Sequence, residues 1–395
     1  METDENILDI AIYAREAAEH RHYLHAHPEP SFEEWETQRY ITDRLHSLGL
    51  NPLPIAGTGV TATVTGTRGS ANGKVLLLRA DIDALRLTEE TGLPFASQNE
   101  GVMHACGHDG HTGTLLAVTH WLVDHRDQFG GTVKLLFQPA EEITPGGAEP
   151  CVKAGVLQNP DVTFVFGVHL WNILDFGKVG LRAGPLLAEA DRFELTITGK
   201  GAHAATPHLG ADPIVAAAQI VTALQTIVSR ETNPLDSRVV TIGTIDGGSA
   251  FNIIPQSVHM TGTLRALSRE DAELGAASLR RIVTHTAEAL GTTAEVDYEF
   301  GYPPVINSRE SVAFLRSFLQ QAAGEGNVVE PEINMGGEDF AYYLQHVPGV
   351  FVLLGTRNPA KGLTAPHHNP KFTFDEDIFP LAVSLFVAVV TGYLS

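Results

Sequence analysis

The residues best able to do chemistry crowd into one run, Met103-His104-Ala105-Cys106-Gly107-His108-Asp109-Gly110-His111. A thiol and two or three imidazoles in one short junction are donors for a divalent transition metal. Cys106 and His108 stand two apart and share no face of a regular helix, so they converge on an ion only where the run begins as a loop. Gly107 permits that loop, and a helix starting near Asp109 would turn its positive end toward nearby anions. A second signal is Gln138-Pro139-Ala140-Glu141-Glu142. Adjacent carboxylates repel unless a cation or a shared proton divides their roles, so one can ligate metal while its neighbour takes a proton from water. Each signal alone has an ordinary structural reading: a buried thiol beside helix-capping histidines, or an exposed Glu pair at a helix start. His169 after an apolar run, and His368 in His367-His368-Asn369-Pro370, would each pass alone as a satisfied buried histidine. The combination argues for chemistry.

These side chains need elements to position them. The apolar runs Val75–Leu78, Val133–Phe137 and Val162–Phe166 read as buried strands, with helical stretches such as Thr112–His125 between them. After them come Asp81-Ile82-Asp83, Glu141-Glu142 and His169, at the carboxyl ends where open α/β sheets bind ligands. Helical spacing over 7–26 and 32–48, the latter stopped by Gly49, completes the start of an α/β domain. A mainly parallel sheet with helices on both faces is expected. The middle of the chain changes rhythm. Phe193, Leu195 and Ile197 alternate with polar residues, and a helix follows with Asp212 as N-cap and Pro213 in its first turn. Strands near Val239–Ile245 and Val258–Leu264, a helix opened by Ser268-Arg269-Glu270-Asp271, and a strand near Ala294–Phe300 complete a β-α-β-β-α-β order. That order is the ferredoxin-like split unit. The expected organisation is therefore a discontinuous first domain, 1–187 and 302–395, interrupted by an inserted domain, 188–301. The return supplies a helix near Ser311–Ala322, a strand at Val350–Leu354 and a C-terminal helix.

Composition bounds the function. At 395 residues two domains are the prior, and 43% hydrophobic with 18% charged residues is ordinary globular usage. Lys+Arg 26 against Asp+Glu 47 gives a net charge of −21, which argues against nucleic acid or an anionic membrane as partner. No run approaches the ~18 consecutive apolar residues of a membrane helix. The acidic start, Met1-Glu2-Thr3-Asp4-Glu5, lacks the basic and apolar parts of a signal peptide. Two cysteines, Cys106 and Cys151, make no disulfide framework, so a cytoplasmic location is expected. Neither a Gly-x-Ser-x-Gly elbow nor a phosphate-binding P-loop occurs.

The ordered set Ala80–Leu85, Met103–His111, Gln138–Glu142, Gly167–Leu170, Gly199-Lys200-Gly201-Ala202-His203-Ala204-Ala205, Asn252-Ile253-Ile254-Pro255 and Gly337-Glu338-Asp339-Phe340 resembles the amidohydrolase branch of the aminoacylase/carboxypeptidase G metallopeptidase family. That branch includes hippurate hydrolases, auxin–amino acid conjugate hydrolases and N-acyl-amino acid deacylases. The resemblance implies five ligands, Cys106, His108, Glu142, His169 and His368, for two divalent ions, Zn or Mn, with Co or Ni as alternatives. It makes Cys106 the bridge, Glu141 the general base and Asp83 an acid that orients the metal site. His203 would polarise the scissile carbonyl, often from the second subunit of a dimer, while Asn252 and Arg265 would hold the substrate's carbonyl or carboxylate. His367 competes with His368; the family's histidine lies two residues before the proline, here Pro370, which selects His368. Ala202 and the continuation Ile143-Thr144-Pro145 depart from the usual glycines, and the latter would reshape a pocket wall. The implied reaction is hydrolysis of N-acyl-L-amino acids, small-molecule substrates, to a carboxylate and an amino acid. The implied architecture is a homodimer, or a tetramer, with 188–301 as lid and dimerisation domain. The alternative on the same scaffold is a metallo-exopeptidase taking dipeptides or a C-terminal residue. A non-catalytic binder that kept the fold would be expected to have lost Glu141 or a ligand, and none is missing.

Overall fold

The computed structural model describes residues 2–69 and 73–395. They divide into two compact units: the chain up to Gly184 with 306–332 and 339–395, and 185–305 with 333–338.

The first unit is built on an eight-stranded sheet. Its order is Leu53–Ile55, Gly59–Thr65, Thr132–Gln138, Val75–Asp81, Phe164–Asp175, Gly349–Arg357, Val179–Gly180 and Val328–Val329. The four central strands run parallel, as their unbroken apolar character predicts. The margins do not, so the sheet is mixed rather than mainly parallel throughout. Gly59–Thr65 pairs antiparallel with both Leu53–Ile55 and Thr132–Gln138, and Val179–Gly180 pairs antiparallel with Gly349–Arg357. The marginal hairpin turns through Ala56 and Gly57, both left-handed at φ 48° and 88°.

Alternation along the strands gives the sheet two different faces. Leu76, Leu78 and Ala80, with Val133, Leu135 and Phe137, join a core built with the helices Glu2–Ala26, Trp35–Ser47, His108–Asp124, Arg309–Ala323 and Phe379–Tyr393. The opposite face buries Leu77, Leu136, Val165 and Phe351 and carries polar groups at the strand ends. Arg79 is buried between Asp81 at 2.6 Å and Asp339 at 2.9 Å, and also donates to Gln138 at 2.9 Å. Tyr343, on the short helix Ala341–Leu344, donates to the same Gln138 oxygen at 2.9 Å. An ion pair so buried persists because every charge meets an opposite charge or a fixed dipole.

The second unit has a four-stranded antiparallel sheet in the order Arg238–Gly247, Ser257–Ala266, Glu189–Thr198 and Thr293–Tyr302. With the helices Pro213–Thr226 and Arg269–Ala289 this is the β-α-β-β-α-β order. Its core joins Phe193, Leu195 and Ile197 to the helical stripes Ala216–Ile220–Leu224 and Ala276–Leu279–Val283. Both helix starts are capped. Asp212 Oδ1 accepts from the backbone N–H of Ile214 at 2.9 Å, and Ser268 Oγ from that of Asp271 at 3.1 Å.

Among the described residues two helical stretches, Pro213–Glu231 and Glu376–Tyr393, are long and apolar enough to match a membrane span. Each places its apolar stripe in the core of its own unit: Ile220 and Leu224 in one, Val383, Phe386 and Val390 in the other.

Candidate metal centre

The strand Val75–Asp81 ends in Asp81 and leads to Asp83; Thr132–Gln138 leads to Glu141 and Glu142. His169 does not follow its strand, as expected, but lies within it, because the strand continues to Asp175. The helix His108–Asp124 begins one residue before Asp109, with Gly107 at φ 91° as the turn that lets Cys106 and His108 face the same space.

Seven of the expected residues meet there. Cys106 belongs to two donor groups, one with His108 and His169 and one with Glu142 and His368; His108, Glu141 and Glu142 form a third. The ligand atoms within each group lie within 4.8 Å of one another. Cys106 Sγ is 3.6 Å from His169 Nε2, and His368 Nε2 is 3.2 Å from Glu142 Oε2.

Hydrogen bonds decide which nitrogen each imidazole offers. His169 Nδ1 donates to the Leu170 carbonyl at 2.7 Å, and His108 Nδ1 to the Asp83 carbonyl at 2.9 Å, which leaves Nε2 of both facing the centre. Asp83 Oδ2 accepts from the Glu142 N–H at 3.0 Å and from Ser31 Oγ at 2.7 Å, while its Oδ1 lies 3.2 Å from His108 Nδ1. His111 is engaged on both sides, Nδ1 with Asp81 at 2.6 Å and Nε2 with the Leu170 N–H at 2.9 Å, so it supports rather than ligates. His367 turns Nε2 to the Leu170 carbonyl at 3.0 Å, whereas His368, at φ 62°, faces Glu142.

The residues fit a bound cation. His108 Nε2 and Glu142 Oε1, 3.8 Å apart, are both buried without a hydrogen-bond partner. Buried polar atoms are rarely left so, and here each is a lone-pair donor for a metal. Burial, and then Glu142, Glu141 and Asp81, push the Cys106 thiol well above its usual range, so a thiolate there needs nearby positive charge. Burial alone would lower His108, but Asp81, Asp83 and Glu142 outweigh it and hold the imidazole up to about 10, so a cation binding at Nε2 has to displace a proton there. Burial, aided by His111 and His367, keeps His169 well below its usual value and therefore neutral. A soft thiolate, imidazoles and a carboxylate suit Zn, Mn or Co better than Mg or Ca. Cys106 is common to two of the donor groups.

Three expected residues lie in the second unit. His203 is on the short strand Ala202–His203, which pairs with Ile253–Ile254, and the Ala204 N–H donates to the Asn252 carbonyl at 3.0 Å. This sets His203 opposite Ile253 and Ala204 opposite Asn252. The Ala205 N–H donates to His203 Nδ1 at 3.0 Å, so the neutral ring carries its proton on the exposed Nε2. Arg265, on Ser257–Ala266, is half-buried; a Cβ on Gly337 would stand 3.4 Å from its guanidinium. Sequence reasoning passed over Ser31 and Glu34, which resemble ordinary residues of a helix start, and Asp81, which stands inside a quoted motif without a role.

Comparison with known proteins gives the family. Residues 77–392 match Peptidase family M20/M25/M40. The chain is 40% identical over 377 residues to an N-acetyl-L-cysteine deacetylase of Bacillus subtilis, covering 95% of this chain and 88% of that protein. It is 40% identical over 379 residues to an IAA-amino acid hydrolase, ILR1-like 4, of Arabidopsis thaliana, covering 95% and 84% respectively. A Bacillus subtilis crystal structure described as a dinuclear metal binding peptidase superposes with a TM-score of 0.81 at 36% identity, covering 97% of this chain and 99% of that one. With its metal-donor groups in place and most of its length matched, the chain is a member of the M20/M25/M40 peptidase family, in its amidohydrolase branch.

Proposed function

We propose that this protein hydrolyses the amide bond of N-acyl-L-amino acids, releasing a carboxylate and a free amino acid. The observation that supports this most is the sharing of Cys106 between two donor groups with Glu141 at their edge. The named activities of the deacetylase and IAA-amino acid hydrolase relatives support the substrate class. Cys106, His108, Glu142, His169 and His368 would hold two divalent ions, Zn or Mn, which when bound supply Lewis acidity toward the amide oxygen and acidify water. Glu141 takes the proton of the attacking water and returns it to the departing nitrogen, because an amine anion is a poor leaving group. Asp83 orients His108 and anchors Glu142. His203 donates from Nε2 to the substrate carbonyl beside Asn252, and Arg265 forks onto the α-carboxylate.

In this reading 1–187 and 302–395 form the catalytic domain, and 188–301 a lid and dimerisation domain that presents His203 to a second copy. An edge strand, Arg238–Gly247, with Ile245 57% exposed, and a fully exposed Phe251 support a homodimer. The two unpaired, buried thiols support a cytoplasmic location.

Purified protein, analysed for metal, is assayed on acetyl-, benzoyl- and indoleacetyl-amino acids beside a dipeptide panel. Acyl-amino acids should dominate; preference for dipeptides would replace this reading with an exopeptidase. Glu141→Gln should keep its metal and lose ~10²–10⁴-fold in turnover.

A further inference from the structure

Glu34 is fully buried, yet it stands at the start of the helix Trp35–Ser47, where a short side chain such as Asp or Ser ordinarily caps the backbone. It does not cap. Glu29 does so instead, accepting from the N–H groups of Glu36 at 3.1 Å and Thr37 at 2.8 Å. Glu34 is thereby released to reach across the fold. Its Oε2 accepts from the Thr58 hydroxyl, and its Oε1 from the Ala140 N–H at 2.8 Å.

Ala140 directly precedes Glu141. It is a non-glycine residue at φ 53°, a left-handed conformation that persists only where surrounding contacts impose it. Those contacts are visible. The Ala140 carbonyl accepts from the Gly147 N–H at 2.9 Å, and Pro139 packs so closely on Gly59 that a Cβ there would stand 2.8 Å from its ring. Downstream, Asp83 holds the Glu142 N–H at 3.0 Å. Glu141 therefore hangs between two carboxylate anchors, Glu34 upstream and Asp83 downstream. Only the downstream anchor also touches a proposed metal ligand.

We infer that Glu34 is a positioning residue for catalysis: by holding the Ala140 N–H it fixes the left-handed turn that aims the Glu141 carboxylate, while Glu142 stays in place through Asp83. The inference rests on the reading of Glu141 as general base. Glu34→Ala leaves the Ala140 N–H buried without an acceptor, whereas Glu34→Gln still offers an amide oxygen.

The test compares these variants, each with and without Glu141→Gln, on the best acyl-amino acid of the panel. Glu34→Ala should lower kcat by ~10–100-fold, the scale of a misplaced catalytic group, with KM and metal content held. Glu34→Gln should return kcat to within ~3-fold of the parent. With Glu141→Gln already present, Glu34→Ala should cost less than ~2-fold more, as for residues acting through one another. Independently of activity, amide exchange in peptides spanning 139–148 should quicken in Glu34→Ala and not in Glu34→Gln. Should Glu34→Ala not fold, Glu34→Asp, whose shorter side chain keeps the charge but withdraws the acceptor, takes its place. A folded, metal-loaded Glu34→Ala enzyme with parental kcat overturns the inference, as does Glu34→Gln as slow as Glu34→Ala or a full further loss beside Glu141→Gln. Full activity of Glu141→Gln alone overturns the underlying reading of the base, an outcome distinct from the others.

Discussion

Asp83→Asn is the sharpest single test of how the metal centre is built. The substitution keeps size and removes charge. Asp83 Oδ2 serves two donors, Ser31 Oγ at 2.7 Å and the Glu142 N–H at 3.0 Å, and Oδ1 faces His108 Nδ1 at 3.2 Å. An amide has one acceptor oxygen. If that oxygen stays with Ser31 and Glu142, the new NH₂ meets the proton on His108 Nδ1, donor against donor. The backbone carbonyl of Asp83, 2.9 Å from the same nitrogen, still holds the ring, so the site should form with a less basic Nε2. Loss of a hydrogen bond to a charged acceptor is worth ~1.5–3 kcal/mol. Removal of such a partner behind a metal-bound histidine typically weakens binding ~10–100-fold, or ~1.4–2.7 kcal/mol. The two estimates agree. Metal-stripped Asp83→Asn, titrated with Zn²⁺ or Mn²⁺ against a competing chelator, should therefore bind ~10–100-fold more weakly than the parent. A dissociation constant within twofold of the parent would show that the His108–Asp83 carboxylate contact has no part in setting affinity.

In a Cys151→Ser background, and at a pH alkaline enough to ionise the raised Cys106 thiol, metal-stripped protein should react with a thiol reagent faster than metal-loaded protein; equal rates would make it a plain core thiol. Glu34 offers a pH test. Burial, with Asp83 adding repulsion, raises it from 4.5 to about 7. A raised carboxylate is most favourable when protonated, so its contribution is present below ~4.5 and lost as pH rises through about 7, on the order of 3 kcal/mol in total. Glu34→Gln should remove that part of the slope in denaturant stability between pH 5 and 8, and an unchanged slope would contradict it. For the assembly, inactive Glu141→Ala and His203→Ala proteins are mixed: if His203 serves the partner's site, ~a quarter of sites recover after random exchange. No recovery with heterodimers demonstrated would place His203 in its own chain's site.

What the sequence revealed, and what it concealed, divides along physical lines. Side-chain chemistry was legible where residue type and short spacing determine it. The donors Cys106, His108 and Glu142 sit in compact runs, and the caps at Asp212 and Ser268 involve residues only two or three positions away. Interactions spanning the chain were not. Glu34 meets Ala140 across 106 positions, and nothing local distinguishes it from the neighbouring Glu33. The marginal hairpin at 53–65 was also hidden, because Leu53–Ile55 has only three residues and Gly59–Thr65 interleaves threonines where the parallel centre has apolar runs. The hardest feature to read is the one on which the centre most depends. His108 and His169 are oriented through the main-chain carbonyls of Asp83 and Leu170. Every residue has such a carbonyl, so no residue type can announce it; only the course of the backbone can. His367 and His368 make the same point side by side. The two are chemically identical, yet one turns to the Leu170 carbonyl and the other, through a left-handed φ of 62°, turns to Glu142. The donor set is therefore written in side chains, while the choice of donor atom is written in the backbone, and the second becomes visible only when the chain is folded.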